Sequence, residues 1–168
     1  MDARVLEHTE DDRAVVERQL GRPVRGRWTV ARRCHLGVPM VIESHPRMPD
    51  GTPFPTLFWL TCPVLVKRAS QLESAGALAD ATARLASDVE ARRRLAAAVG
   101  RYRARRDALE PLPRDAAPPG GGPERVKCLH AHVAHELADP PNPVGGDVLA
   151  RAGWPDCRAR CVEAGGRS

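Results

Sequence analysis

Between Cys128 and His135 the chain places one thiol and three imidazoles, Cys128, His130, His132 and His135, within eight positions, and these are half of its six histidines. Thiolate and imidazole are the side chains that hold zinc and also those that build a nucleophile with its base. Two further cysteines, Cys34 and Cys62, each close an apolar segment far upstream. The expectation is that folding gathers these three places into one site.

Three chemistries fit these residue types. The first is a metal site. Soft thiolates with imidazole select zinc, with four ligands in tetrahedral array. Cys34, Cys62 and Cys128 plus one histidine complete such a set. On a continuous helix Cys128, His132 and His135 fall at i, i+4 and i+7 on one face, with His130 turned about 200° away. If the helix starts only after Cys128, His130 turns inward instead. His135 is therefore the first choice, with His130 or His132 as the alternative. The plain reading is that Cys34 and Cys62 are small buried hydrophobes.

The second is thiol catalysis. A nucleophilic cysteine needs a base or a helix N-terminus beside it. Cys62, before Pro63 at a strand-to-helix junction, has that placement, and so does Cys128 at a helix start beside Lys127. His130 or His135 is the candidate base, and simple strand packing is the alternative for Cys62. The third is anion binding. Arg32, Arg33, Arg47 and Lys127, with Asn142, lie in loops or at strand ends near the gathered residues. Arg and Lys converging with glycine-rich loops suit a phosphate or other anion. No Walker or Rossmann glycine pattern is present, and a solvated strand edge accounts equally for Arg32 and Arg33.

The elements that must position these groups are legible in outline. Thr9 followed by Glu10, Asp11 and Asp12 caps a helix that runs to about Leu20 and stops at Gly21. Trp28–Cys34 and Val38–Glu43 read as a hairpin, with Pro39 at an edge or a late start. His45–Pro55 holds four prolines and is a stiff loop. Thr56–Cys62 reads as a third, central strand, and Pro63 suits the first turn of the next helix, to about residue 75. Residues 77–109 carry helical spacing, but a helix of about 30 residues is about 45 Å long, so a break is expected, with Gly100 one candidate. Residues 110–123 are a Pro/Gly loop and a possible flap. The histidine helix spans about Val126 to Asp139, and Asp147 caps a short last helix.

The order of one helix, three strands and then helices predicts an α+β fold. A small antiparallel three-stranded sheet, over about residues 28–62, is covered on one face by several helices. Residues 1–152 form one domain, and 153–168 a loosely ordered tail. Aromatics are 4% of the chain, so the core is mostly Leu, Val and Ala.

The net charge is +5, but Lys67 and Lys127 are the only lysines, so 24 of the 26 basic residues are Arg. That pattern reads as composition bias, and scarce aromatics remove the stacking platform of a single-strand binder; nucleic acid is not the expected partner. Residues 1–20 are charged and lack an apolar signal segment, and no apolar run reaches the roughly 20 residues of a membrane span. A cytoplasmic location follows as the expectation. Cysteines there are free thiols, metal ligands or catalytic groups.

Several segments, among them Val30–Pro39, Pro46–Pro55, Leu60–Pro63, Leu72–Gly76 and Arg125–Ala131, together resemble an uncharacterised bacterial family, a domain of unknown function typical of actinobacteria. The resemblance covers roughly residues 12–152. It implies no established activity, and a pattern with Cys or His at Cys34, Cys62, Cys128, His130 and His135. It also implies genes near those for enolase, a septum-formation initiator and an exopolyphosphatase. Three functions stay open: a zinc protein, structural or catalytic; a thiol enzyme without metal acting on an anionic small molecule; and a basic module, residues 77–109, docking an acidic protein in a cell-division or polyphosphate context.

Overall fold

The computed structural model describes residues 7–162; the first six and last six residues, which hold most of the expected frayed start and part of the expected tail, lie outside the described residues. Helix α1 (Glu10–Leu20) starts where the acidic cluster predicts. Thr9 accepts the Asp12 N–H at 3.0 Å, the Asp12 carboxylate faces the Thr9 N–H at 3.4 Å, and Gly21 ends the helix at φ 67.

Strands β1 (Trp28–Arg33), β2 (Pro39–Ser44) and β3 (Phe58–Leu60) form an antiparallel sheet in the order β1-β2-β3. The sheet is thus antiparallel and three-stranded, as expected, within an α+β fold. The centre is β2 and not β3, because the β1–β2 hairpin leaves the other edge of β2 to pair with β3. Pro39 is tolerated there as the first residue of the strand, where its missing N–H breaks no interior rung. Both faces are covered, not one. Ile42 packs with Trp28 and with Val16 of α1, while Val41, Phe58 and Leu60 face the main core. All six residues of β2 are consequently buried.

Helix α2 (Pro63–Ser74) begins with Pro63 in its first turn, as expected. The 77–109 pattern splits into α3 (Ala77–Ser87) and α4 (Val89–Leu109). The break falls at Asp88 rather than Gly100, which stays inside α4. Asp88 is extended, at φ −113 and ψ 98, and its carboxylate accepts the Ala91 N–H at 2.9 Å, so one residue ends a helix and caps the next. Tyr102 of α4 anchors the proline loop. Its hydroxyl accepts the Leu57 N–H at 2.5 Å and donates to the Pro55 carbonyl at 3.1 Å.

The glycine loop is partly structured as a small hairpin of β4 (Gly121–Gly122) and β5 (Arg125–Val126). It feeds α5 (Leu129–Ala138), which starts three residues later than the apolar pattern suggested. Helix α6 (Pro143–Ala152) is longer than expected and is capped by Asn142, whose Oδ1 accepts the Val144 and Gly145 N–H groups; Asp147 instead pairs with Arg84 at 3.0 Å. Helix α5 lies between β3, α2 and α6. Gly145 makes the α5–α6 approach possible, since a Cβ there would lie 2.1 Å from the His132 carbonyl oxygen.

Candidate functional site

The late start of α5 decides the geometry. Cys128 is its N-cap residue, extended at φ −154 and ψ 116, and His130 lies in the first turn. Across from them, α2 presents Val66, Ser70 and Glu73, an i, i+4, i+7 stripe. His130 Nδ1 is 3.8 Å from Cys128 Sγ and 3.2 Å from Glu73 Oε1. Glu73 Oε1 also accepts the Leu129 N–H at 2.7 Å, which ties the carboxylate to the helix start. Among the described residues, Glu73, Cys128 and His130 are the one group of three whose possible ligand atoms all lie within 4.8 Å of one another, and the group could hold a metal ion.

The hydrogen-bond network assigns the His130 tautomer. Nε2 is 3.1 Å from the Val66 carbonyl oxygen, an acceptor only, and 3.1 Å from Ser70 Oγ. Nε2 must therefore carry a hydrogen. In the neutral ring Nδ1 is then a bare lone pair facing a carboxylate and a thiol, and either a proton or a metal cation has to sit between them. With a proton there, the Cys128 hydrogen bond raises the His130 pKa to about 9, assisted by Glu73 and opposed by burial. Burial by itself would push the Cys128 thiol up, but the His130 contact and the Ala131 N–H outweigh it and hold the thiol below its ordinary value.

The pair opens on a cavity of about 490 Å³ between α1, β3, α2 and α5. Its wall includes Leu20, Phe58, Trp59 and Val66, with Lys67 as the one Lys or Arg among the described residues, and Cys128 and His130 on one side. Gln19 also lines it; its Nε2 donates to the Pro39 carbonyl at 2.8 Å, while its buried Oε1 has no hydrogen-bond partner.

His132 and His135 occupy a separate, interior network. Asn142 Oδ1 accepts from α6, so the amide nitrogen of Asn142 must donate, and it reaches His132 Nδ1 at 3.1 Å and His135 Nδ1 at 3.0 Å. Both rings therefore carry hydrogen on Nε2. That of His132 donates to the Gly120 carbonyl at 2.8 Å, pinning the glycine loop, whereas the buried His135 Nε2 makes no hydrogen bond among the described residues and lies 4.0 Å from Asp139 Oδ2. Burial lowers both pKa values, that of His135 to about 4.

The remaining candidates are dispersed. Cys34 and Cys62 line a small cavity with Cys157 and Cys161, away from the Glu73–Cys128–His130 group. Arg33 pairs with Asp12 at 2.9 Å, Arg47 with Glu110 at 2.8 Å, and Arg32 lies over the Trp154 ring. Lys127 is exposed. Sequence reasoning missed Glu73, Ser70 and Lys67. The usable signal was the spacing of Val66, Ser70 and Glu73 on one face of α2, a face that needs a polar partner.

Residues 30–150 match the family model described as "Protein of unknown function (DUF501)". No curated protein and no solved structure matches the chain.

Proposed function

The chain belongs to the DUF501 family, and we propose that it is a zinc protein whose metal is held by Glu73, Cys128 and His130 at the wall of the 490 Å³ cavity. The observation that carries this reading is the spacing of the three ligand atoms. Zinc–ligand distances of about 2.0–2.3 Å in a tetrahedron require N···S of about 3.6 Å and N···O of about 3.4 Å. The distances from His130 Nδ1 are 3.8 Å to sulfur and 3.2 Å to oxygen, each within 0.2 Å. The outer contacts also suit a metal: His130 donates its other N–H to a backbone carbonyl, and Glu73 is held by a backbone N–H.

Three protein ligands leave a fourth position, as in catalytic zinc sites, where the metal supplies Lewis acidity. The surrounding residues define what could occupy the cavity. Phe58, Trp59 and Leu20 exclude water around an apolar body, Lys67 attracts an anionic group, and Gln19 Oε1 can accept a hydrogen bond. A small, mostly apolar anion fits best.

A second reading is favoured by the Cys128–His130 pair itself. A thiolate beside an imidazolium at a helix start is a nucleophile with its base. Metal analysis of untagged protein purified without chelator separates the two. A loss of about one zinc equivalent per chain relative to wild type, in both Cys128→Ser and Glu73→Gln, supports the metal centre. Protein without metal that is alkylated rapidly at Cys128 supports the thiol enzyme and removes the zinc reading.

A further inference from the structure

One wall of the cavity between α1, β3, α2 and α5 is a strand edge. Strand β3 is the last of its sheet, so it pairs along one edge only. The Ser44 N–H donates to the Leu57 carbonyl and the Thr61 N–H to the Met40 carbonyl, each at 2.7 Å, with Ile42 opposite Trp59 between them. Residues 57, 59 and 61 thus turn their backbone polar groups toward β2, and Phe58 and Leu60 turn theirs away. The Phe58 and Leu60 side chains enter the main core, and Trp59 packs in the cluster on the opposite face. All of Phe58–Thr61 nonetheless line the cavity, which their common backbone edge explains. We propose that this edge makes the cavity a site for an N-acylated apolar α-amino acid, free or as the last residue of a peptide. Such a ligand is one class of the small, mostly apolar anion inferred above; its chemistry rests on that reading, but its binding does not.

The decisive residue is Leu60. It is 5% exposed, and among the described residues neither its N–H nor its carbonyl has a hydrogen-bond partner. Buried backbone groups of this kind call for a partner. A donor and an acceptor on one residue of a strand edge are matched by a group that offers both in return, as another strand or a secondary amide does. Gln19 adds a second acceptor. Its Nε2 and the Thr61 hydroxyl both donate to the Pro39 carbonyl, at 2.8 and 3.4 Å, so Gln19 stands at the Leu60 end of β3. Its Oε1 is buried, unpartnered and part of a residue on the cavity wall. The Leu60 carbonyl and Gln19 Oε1 suit an amide N–H, and the Leu60 N–H suits a carbonyl or carboxylate oxygen.

The rest of the cavity selects the substituents around that amide. Lys67, exposed on the first turns of α2, supplies the positive charge for a carboxylate. Leu20, Trp59 and Val66 give an apolar surface for the amino-acid side chain. A volume of about 490 Å³ lies in the range of small-molecule sites and accommodates an amino acid with its acyl group. A simple fatty acid would satisfy Lys67 and the apolar wall, but it has no N–H for the Leu60 carbonyl or Gln19 Oε1, and leaving buried acceptors unmet lowers affinity. The amide-bearing ligand satisfies both sets. Cys128 and His130 line the same cavity, and an acyl carbonyl is the kind of group on which a zinc ion or a thiolate acts.

Calorimetry and NMR of the backbone amides test this on the full-length protein. N-acetyl-L-leucine should bind with a Kd of about 1 mM or tighter and move the Leu60 amide resonance downfield. O-acetyl leucic acid, which has an ester in place of the amide and so lacks the N–H, should bind about 10-fold more weakly. Lys67→Gln, at an exposed position, should weaken N-acetyl-L-leucine by about 10-fold at low salt, and added salt should narrow that gap. Acetyl-Ala-Ala-Leu separates the two sources: tighter binding than N-acetyl-L-leucine marks a peptide end, equal or weaker binding marks the free acyl amino acid, and either outcome supports the class. Metal content is measured on the same samples. Zinc present with no binding of N-acetyl-L-leucine overturns this proposal and leaves the metal centre standing, whereas binding without zinc supports it and counts against the metal centre alone. Equal affinity for the amide and the ester, or an unmoved Leu60 amide, also overturns it.

Discussion

His130 Nε2 and the Val66 carbonyl oxygen are 3.1 Å apart, and this contact fixes which nitrogen of His130 faces Glu73 and Cys128. Because a carbonyl only accepts, the hydrogen is on Nε2 and the lone pair on Nδ1. The position of one backbone carbonyl on α2 therefore sets the chemistry available at the start of α5.

Glu73→Gln should weaken zinc binding by more than the roughly 10–100-fold that loss of an outer partner costs. Ser70→Ala, which removes only the Oγ contact at 3.1 Å to His130 Nε2, should cost about 10-fold or less. Competition with a chromogenic chelator measures both. Equal affinities for wild type and Glu73→Gln would remove Glu73 from the ligand set.

Stability should fall on mild acidification because of His135. Burial keeps this ring neutral, with a pKa of about 4, against about 6.5 in the unfolded chain. Between those values the unfolded state binds more protons, so the contribution is complete above about pH 6.5 and drains away toward pH 4. The full loss is on the order of 3 kcal/mol, and His132, also lowered by burial, adds in the same direction. Urea unfolding at a series of pH values should show this slope, and His135→Gln should flatten it. A wild-type profile flat from pH 7 to about 5 would contradict the assignment.

Gly145 and Gly146 are neighbours in α6 with opposite expectations. A Cβ at Gly145 would meet the His132 carbonyl oxygen at 2.1 Å and Glu136 Cβ at 2.7 Å. Gly145→Ala should therefore cost at least about 1–3 kcal/mol as α5 and α6 are forced apart. At Gly146 the nearest atoms are 3.8 Å away, ordinary contact. Gly146→Ala should gain about 0.5–1 kcal/mol from the less flexible unfolded chain. Thermal melts of the two variants should move in opposite directions.

Tyr102→Phe should destabilise the fold by about 1–3 kcal/mol. The change leaves the Leu57 N–H and the Pro55 carbonyl without their shared hydroxyl. Hydrogen exchange at Leu57 is the sharpest readout: it should speed up more than exchange in α4, whose packing at Leu95 and Ala98 is untouched. Unchanged protection at Leu57 would show that the hydroxyl is dispensable.

Local rules written in the sequence determined much of this protein. Thr9 with its acidic followers set the start of α1, the β-branched hairpin around Gly37 set β1 and β2, and Pro63 set the start of α2. The concentration of Cys128 and His130 marked the stretch that supplies two of the three members of the Glu73–Cys128–His130 group, because their chemistry is a property of residue type. The tertiary structure decided what those residues face. Whether α5 began before or after Cys128 turned on where the β4–β5 hairpin ended, and the later start leaves Cys128 as an extended N-cap that faces His130 instead of a helical residue on the face of His132 and His135. Helical periodicity cannot register that difference, since both starts keep the same apolar face. Glu73 entered the site because α2 packs across α5, a contact between residues more than fifty positions apart. Cys34 and Cys62 met Cys157 and Cys161 by the same long-range logic. Spacing along the chain carries short-range geometry; only packing of the core brings together ligands from distant segments.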